Sequence, residues 1–332
     1  LWRSYGVKPA AVVGHSQGEI AAACVAGALS LEDAGRMVAL RAGALAKVAG
    51  QGGMVSLALG AGAVRDLIEP WSGRLSIAAE NSPVQAVVSG DPESLTELLG
   101  VCGREGVRAR RVPVDYASHS DHVEVLREEL LEALAPIGPR IAEVPIYSSV
   151  TGGAIEAAEL GPDYWYRNLR EVVRFDRATA ALLEDGVGAF VEMSPHPVLV
   201  PAVHETAEAA GGEEVTTIAG LRRGEGDLGR FFLSLAQAHA GGVEVDWRSV
   251  FAGRGTDPAA LPTYAFQRTR YWLEPAGGAE LVGGVTAEDP PARSPALDLA
   301  ARLAAACPAE REGVADLVRS HVAAVLGHAS PA

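Results

Sequence analysis

The stretch Ala11–Glu19 constrains the fold of this chain more than any other, because an apolar run meets a Gly-x-Ser-x-Gly turn and then an alanine-rich segment. This order is typical of a nucleophile elbow, in which a strand, a sharp turn and a helix hold a serine hydroxyl at the tip of the bend. Gly14 and Gly18 are predicted to leave room for the strand and the helix to approach each other. The helix, predicted over about residues 17–28, directs its free N–H groups at Ser16, where an oxyanion would develop. A glycine-rich turn before a packed helix is the alternative interpretation.

The alternation of strand and helix patterns predicts an α/β fold. Residues 1–53 and 115–222 are predicted to form a hydrolase-like domain with a mostly parallel sheet. Between them, residues 54–114 show the order βαββαβ, which predicts an inserted ferredoxin-like subdomain. The first and last strands of such a unit end close together, so it can be inserted without separating the two parts of its host.

The composition excludes several classes of function. The chain has 332 residues, of which 21% are charged, and a formal net charge of −14. Without a basic stretch that could follow phosphates, nucleic-acid binding is not expected. The three cysteines, Cys24, Cys102 and Cys307, match no metal spacing and indicate no disulfide framework. No apolar run is long enough to span a membrane and the first residues lack a signal-peptide layout, so we expect a cytoplasmic location.

The serine of the elbow needs a base to take its proton, and histidine suits that role near neutral pH. His119 is the main candidate, since it follows a predicted strand in a short polar segment, where the loops at the carboxyl edge of a sheet converge. No acidic residue is placed to complete a triad, which predicts a Ser-His dyad whose other imidazole nitrogen is held by an amide or a main-chain carbonyl. A helper role is an option for His122, whereas His196 is predicted to shape a turn and His15 to be structural.

Arg41 is the second decisive residue, on a predicted amphipathic helix that Ser30 caps. A guanidinium near the nucleophile binds a free carboxylate in bidentate fashion, which an enzyme for neutral esters does not need. An exposed helix arginine is the alternative interpretation.

These residues resemble the acyltransferase domains of modular type I polyketide synthases, relatives of malonyl-CoA:acyl-carrier-protein transacylase. The resemblance covers nearly the whole chain, with motifs at residues 14–19, 40–43, 116–119, 164–170, 194–199 and 261–272. It implies that Ser16 is acylated and that His119 transfers the proton. It also implies that Arg41 pairs with a malonyl carboxylate and that Asn168 orients the histidine, chiefly through its carbonyl. The main-chain N–H of Gln17 would form half of the oxyanion hole.

The resemblance further indicates which acyl group is carried. Gln17 and the segment Tyr116, Ala117, Ser118 and His119 are similar to the methylmalonyl-selective pattern, whereas malonyl-selective members usually have His-Ala-Phe-His there. Small residues in place of a bulky phenylalanine would leave space for the α-methyl branch. Since one methyl group contributes only about 1–3 kcal/mol to discrimination, a malonyl-selective enzyme is an alternative.

The implied acyl donor is a CoA thioester, methylmalonyl-CoA or malonyl-CoA, and the implied acceptor is the phosphopantetheine thiol of an acyl carrier protein. A ketosynthase domain of the same module is the further implied partner. We expect no cofactor and no metal in the chain itself. A serine hydrolase such as a thioesterase, and a non-catalytic scaffold fragment, are alternatives of other kinds.

The resemblance also predicts the organisation of the second half of the chain. Residues 223–274 would form a post-acyltransferase linker, 275–295 a flexible linker, and 296–332 the N-terminal fragment of an acyl carrier protein. The Gly-Gln-Gly loop that supplies the second oxyanion N–H in the family would precede Leu1, so an N-terminal truncation is expected.

Overall fold

The structure, a computed structural model, describes residues 1–211 and 215–253 and is a mixed α/β fold. The strands are β1 (Val12–Val13), β2 (Gly53–Leu57), β3 (Leu75–Ser82), β4 (Gln85–Gly90), β5 (Ala109–Val112), β6 (Ile146–Ser148), β7 (Gly153–Ile155), β8 (Val173–Arg174), β9 (Ala189–Glu192) and β10 (Thr216–Ala219). The α-helices are α1 (Gly18–Val25), α2 (Leu31–Leu45), α3 (Ala61–Ile68), α4 (Pro92–Glu105), α5 (Arg127–Leu134), α6 (Pro162–Arg170), α7 (Phe175–Glu184), α8 (Val200–Ala209), α9 (Leu228–Ala240) and α10 (Trp247–Phe251).

The βαββαβ unit forms the predicted ferredoxin-like subdomain. Its strands pair antiparallel in the order β5-β2-β4-β3, with Val55 opposite Val88. Alternate residues of these strands face α3 and α4, where Val55, Leu95 and Leu98 are fully buried in one apolar cluster. A strand from the other part of the chain, β8, continues this sheet by pairing parallel with β3.

The remaining elements form the larger α/β subdomain, which holds the elbow. β1 pairs parallel with β6, and β9 pairs parallel with β10, whereas β6 and β7 form an antiparallel hairpin. Helices α1 and α2 pack with Ile146 and Trp165 in a core that also contains Ile20 and Met37. The fold class is therefore the predicted one, an α/β domain with a ferredoxin-like insertion.

Helix α2 begins where the sequence predicted, at a cap on Ser30. The Ser30 hydroxyl accepts a hydrogen bond from the Asp33 N–H at 3.0 Å. From this start, the helical repeat places Met37, Arg41 and Leu45 on the buried face. An arginine is thereby carried into the interior on an otherwise apolar surface.

The two subdomains meet beside the elbow through the β3–β8 ladder and polar side chains. His15 donates from Nε2 to Asn81 Oδ1 at 2.8 Å. Ser82 donates to Glu205 at 2.5 Å, and the buried Glu80 lies 3.8 Å from Arg177. These contacts fix the position of the insertion relative to the nucleophile.

Several elements lie outside the predicted domain plan in their detail. The strand β7 and the helix α6 follow β6. Helix α5 is preceded by a 3₁₀ helix over Asp121–Leu126. The described part of the predicted post-acyltransferase linker contains the helices α9 and α10. The motif at 261–272, the flexible linker and the carrier-protein fragment lie outside the described residues, within which no helix is long and apolar enough to cross a membrane.

Candidate active site

The elbow between β1 and α1 holds Ser16 in a strained conformation. Its φ of 52° lies in the left-handed region, which costs a non-glycine residue about 1–3 kcal/mol. The helix start secures this turn, since the Glu19 N–H donates to the Ser16 carbonyl at 3.0 Å. The strain is stored where the hydroxyl must project from the sheet, as expected for a nucleophile.

The two glycines of the motif have different roles. A Cβ at Gly14 would lie 2.2 Å from the main-chain nitrogen of Glu19, so only glycine lets the helix approach the strand. At Gly18 no atom lies within 4 Å of such a Cβ. The predicted steric need for glycine is therefore right for Gly14 and wrong for Gly18.

His119 is placed to take the proton of Ser16. The Ser16 hydroxyl donates to His119 Nε2 at 2.8 Å, and His119 Nδ1 donates to the main-chain carbonyl of Glu171 at 2.7 Å. Because a carbonyl only accepts, this bond fixes the proton on Nδ1 and leaves Nε2 as the acceptor. His119 also has a positive φ, of 59°, and its N–H donates to the Leu169 carbonyl at 2.9 Å.

Asn168 does not hold the imidazole, which corrects the role that the resemblance implied for it. Its Oδ1 accepts from Arg41 Nη1 at 2.6 Å, and its Nδ2 donates to the Ser16 carbonyl at 3.1 Å. Three residues further on, where α6 has ended, the Glu171 carbonyl orients His119. The sequence left a main-chain carbonyl open as the orienter, but nothing in it singled out this residue.

Arg41 is buried beside the nucleophile, so the exposed alternative is wrong. Its side chain is 5% exposed, and Nη2 donates to Ser16 Oγ at 3.4 Å. Burial lowers the pKa of Arg41 to about 10, against which the nearby Tyr116 and Glu19 favour the charged form. Within the described residues, no carboxylate oxygen lies within 4.0 Å of the guanidinium, and Nε has no hydrogen-bond partner. The site therefore contains a buried cation that no carboxylate of the described residues contacts directly.

The positive charge of Arg41 affects the protonation of His119. Burial, together with the charge of Arg41, lowers the pKa of His119 to about 3. The imidazole is therefore neutral near pH 7 and is free to accept the serine proton.

Glu19 is a buried residue of the site that the sequence analysis overlooked. Its carboxylate accepts hydrogen bonds from the Ser149 N–H at 2.7 Å and from the hydroxyls of Ser149 and Tyr164. Burial raises the pKa of Glu19. The sequence signal for a buried role of Glu19 was an acidic residue within an alanine-rich helix. Its bonds anchor the first turn of α1 and thus the elbow.

Gln17 immediately follows the nucleophile and precedes α1. No hydrogen-bond acceptor for its main-chain N–H is found in the described part of the chain. At a helix N-terminus such a free donor stabilises a developing oxyanion.

The residues predicted to set the acyl group pack toward the start of β2. A Cβ at Gly52 would lie 2.6 Å from Ala117 Cβ, so Ala117 is in close contact with that backbone. The Ser118 hydroxyl points to Met54, with 3.8 Å between Oγ and Sδ. Tyr116 packs partly buried in the cluster around α5.

The other histidines considered in the sequence analysis take no part in the dyad. His122 lies in the 3₁₀ helix after His119, while His196 is exposed in the loop after β9 and accepts from the Arg223 N–H at 3.4 Å. His15 joins the subdomains, as described above. In the residues that the structure covers, no group of three or more His, Cys, Asp or Glu side chains could hold a metal ion.

Comparison with known proteins agrees with this geometry. Residues 1–245 match the family model described as acyl transferase domain. The chain is 56% identical over 285 residues to polyketide synthase GfsE of Streptomyces halstedii, covering 86% of the chain and 7% of that protein. It is 52% identical over 280 residues to erythronolide synthase EryA2 of Saccharopolyspora erythraea, covering 84% of the chain and 8% of that protein. The chain thus spans less than a tenth of either relative.

Solved structures are similar as well. The acyltransferase domain from module 8 of the salinomycin polyketide synthase aligns with a TM-score of 0.73 and 56% identity, over 75% of this chain and 58% of that one. A loading acyltransferase from the avermectin modular polyketide synthase aligns with a TM-score of 0.69 and 44% identity, over 72% of this chain and 75% of that one.

The surroundings of the two elbow glycines predict that an alanine is much more destabilising at Gly14 than at Gly18. Gly14→Ala should lower the free energy of unfolding by at least about 3 kcal/mol, because the new methyl group meets the backbone of α1. Gly18→Ala, in open space within a helix, should change it by less than about 1 kcal/mol. Urea denaturation of both variants measures the difference, and equal stability would contradict the close approach at Gly14.

The buried neutral histidine predicts a pH dependence of stability. An unfolded histidine takes up a proton near pH 6.5, whereas folded His119 does so only near pH 3. The unfolded state therefore binds more protons in this window, and His119 should reduce the free energy of unfolding by about 1.4 kcal/mol for each unit of falling pH.

His119→Asn should remove that contribution, so that stability falls less steeply from pH 6 to pH 4 than in the wild type. His196→Asn, at an exposed histidine, is the matched control and should keep the wild-type slope. The same slope for wild type and His119→Asn would show that His119 is not buried in its neutral form.

Proposed function

Because the chain belongs to the acyl transferase domain family, we propose that it moves a methylmalonyl extender unit from CoA to the phosphopantetheine thiol of an acyl carrier protein. The acyl group is carried on Ser16. The observation that supports this most directly is the buried guanidinium of Arg41, which lies beside the nucleophile and contacts no carboxylate of the described residues. A protein keeps such a charge in its interior only at a large desolvation penalty, which an anionic substrate group would offset.

In the first half-reaction, Ser16 Oγ attacks the thioester carbonyl while its proton passes to His119 Nε2. The negative charge that forms on the carbonyl oxygen is stabilised by the Gln17 N–H and the start of α1. The carbon–sulfur bond then breaks, and the leaving thiolate takes the proton from His119. In the second half-reaction, the carrier thiol gives its proton to His119 and attacks the acyl-serine ester, which restores the Ser16 hydroxyl.

Arg41 selects acyl groups that carry a carboxylate. Asn168 holds Nη1, and the side chain is fixed by its apolar surroundings on α2, so little conformational entropy is lost on binding. A bound carboxylate also neutralises the charge that lowers the His119 pKa. The base is therefore strengthened when the correct donor is present.

Ser118 and Met54 are proposed to decide between methylmalonyl and malonyl groups. Ala117 packs against the backbone of Gly52. The space for a methyl branch therefore depends on the neighbouring side chains of Ser118 and Met54. A small hydroxyl beside a flexible thioether leaves room that a phenylalanine would fill.

The proposed partners follow from this reaction and from the relatives. Carrier protein and CoA share the phosphopantetheine arm, and a ketosynthase domain of the same module would consume the loaded extender unit.

Two alternative functions are disfavoured. The charge of Arg41 disfavours a hydrolase of neutral esters. The hydrogen bonds that connect Ser16, His119 and the Glu171 carbonyl disfavour a scaffold without activity.

Incubation of the chain with methylmalonyl-CoA should give an acyl adduct on Ser16, detected by intact mass and absent from Ser16→Ala.

Arg41→Ala should lower the preference for methylmalonyl-CoA over propionyl-CoA by about 10- to 100-fold, because charge-assisted hydrogen bonds to the carboxylate are lost. Arg36→Ala, at an exposed position of the same helix, is the control and should keep the preference. No adduct on the wild type, or an unchanged preference in Arg41→Ala, would contradict the proposal.

Ser118→Phe should shift the ratio of methylmalonyl to malonyl acylation toward malonyl by about tenfold, the range expected for one methyl group. The ratio is measured by competition between the two CoA thioesters. Ser120→Ala offers a control at a buried serine of the same loop, whose hydroxyl donates to the Ala117 carbonyl at 2.7 Å. An unchanged ratio in Ser118→Phe would assign the selection to other residues.

A further inference from the structure

Arg170 is the last residue of α6, and its side chain bonds to the segment that carries His119. Its Nε donates to Glu124 Oε1 at 2.7 Å, and its Nη2 donates to Asp121. Both carboxylates belong to the 3₁₀ helix over Asp121–Leu126, which follows His119 almost directly. One guanidinium group therefore connects the end of α6 to the helix that begins just after the base.

The main chain on either side of Arg170 holds the histidine itself. The Leu169 carbonyl accepts from the His119 N–H at 2.9 Å, and the Glu171 carbonyl accepts from His119 Nδ1 at 2.7 Å. Main-chain bonds to His119 and side-chain bonds to the residues that follow it thus meet at a single position of the chain. A shift of Arg170 relative to the 3₁₀ helix would move both carbonyls relative to the histidine.

A second side chain of α6 strengthens this connection. The Tyr166 hydroxyl donates to Glu124 Oε2 at 2.8 Å, so both carboxylate oxygens of Glu124 are bonded to α6. The hydrogen bonds from Arg170 and Tyr166 also lower the pKa of Glu124, which keeps it charged. The Arg170 side chain is only 28% exposed. A single exposed ion pair contributes little, but a planar guanidinium shared by two carboxylates fixes the geometry of all its partners.

Apolar packing alone does not define this geometry. Val123 and Leu126 of the 3₁₀ helix are buried against Tyr166 and Leu169 of α6. Such burial holds the two elements together but is non-directional, so the polar bonds have to set their orientation. His119 also has a φ of 59°, and a residue keeps such a conformation only where the surrounding contacts over-determine it.

We propose that Arg170 is a positioning residue for the general base, an inference that rests on the proposed function. By tying Asp121 and Glu124 to the end of α6, it keeps His119 Nδ1 on the Glu171 carbonyl, so that Nε2 faces the Ser16 hydroxyl. Without this connection the segment after His119 can shift, the bond at Nδ1 weakens, and the imidazole proton is no longer confined to Nδ1.

The kinetic test is the acylation of Ser16 by methylmalonyl-CoA. Arg170→Ala should lower the rate at saturation about tenfold and change the half-saturating concentration less than about twofold, because a misplaced base slows proton transfer and leaves Arg41 in place. Lys47→Ala is the matched control, since it removes an ion pair, to Glu129, that involves neither α6 nor the His119 segment. An unchanged rate in Arg170→Ala, a loss in the half-saturating concentration alone, or an equal loss in Lys47→Ala would overturn the inference.

The exposed acids test the same connection from its other end, which also covers the case in which Arg170→Ala does not fold. Asp121→Ala/Glu124→Ala should lower the rate at saturation about tenfold as well. Adding Arg170→Ala to this pair should cause no further loss, because the three side chains act as one unit. Losses that add would show that Arg170 and the acids act separately, and would count against the proposal.

A spectroscopic test is independent of the acyl donor. The imidazole ¹⁵N shifts of His119, identified by their absence from His119→Asn, should show a protonated Nδ1 and an unprotonated Nε2 in the wild type and in Lys47→Ala. In Arg170→Ala and in the double acid variant the two shifts should move toward each other as the tautomers mix. Unchanged shifts would overturn the inference. If the wild type forms no acyl-serine, the proposed function fails, while the shifts still decide whether Arg170 positions the histidine.

Discussion

The hydrogen bond between Arg41 and Asn168 is the interaction on which the rest of the site depends. It holds a buried positive charge 3.4 Å from the nucleophile, and through Asn168 Nδ2 it connects that charge to the main chain of the elbow. Together with burial, the same charge lowers the pKa of His119, and it is the proposed binding group for the substrate carboxylate. In the proposed reaction, selection of the acyl group and readiness of the base therefore both involve Arg41.

Elements from distant parts of the chain converge to support this arrangement. Ser16 and His119 both have positive φ values, and each is secured by main-chain hydrogen bonds from a helix end. The end of α6 supplies the Leu169 and Glu171 carbonyls to His119, while Glu19 ties α1 to Ser149. The backbone strain at Ser16 and His119 persists because the surrounding contacts determine it.

The sequence predicted those residues of the site that act through their side chains and stand in a characteristic sequence context. The elbow motif identified Ser16, the polar segment after a strand identified His119, and the position of Arg41 relative to the serine indicated a carboxylate. The βαββαβ pattern was readable because its periodicities follow directly from strand and helix geometry. Glu171 could not be found in this way, since it acts through a carbonyl that every residue possesses. The contact of Ala117 with Gly52 likewise depends on packing between segments far apart in the sequence.

The central claim is that Arg41 receives the carboxylate of an acyl group carried on Ser16. A crystal structure of the acyl-enzyme formed with methylmalonyl-CoA tests it most directly. We expect the carboxylate to lie within hydrogen-bond distance of the Arg41 guanidinium, with the bond from Arg41 to Asn168 retained and the ester carbonyl facing the Gln17 N–H. A carboxylate directed to solvent, with the guanidinium still unpaired, would contradict it.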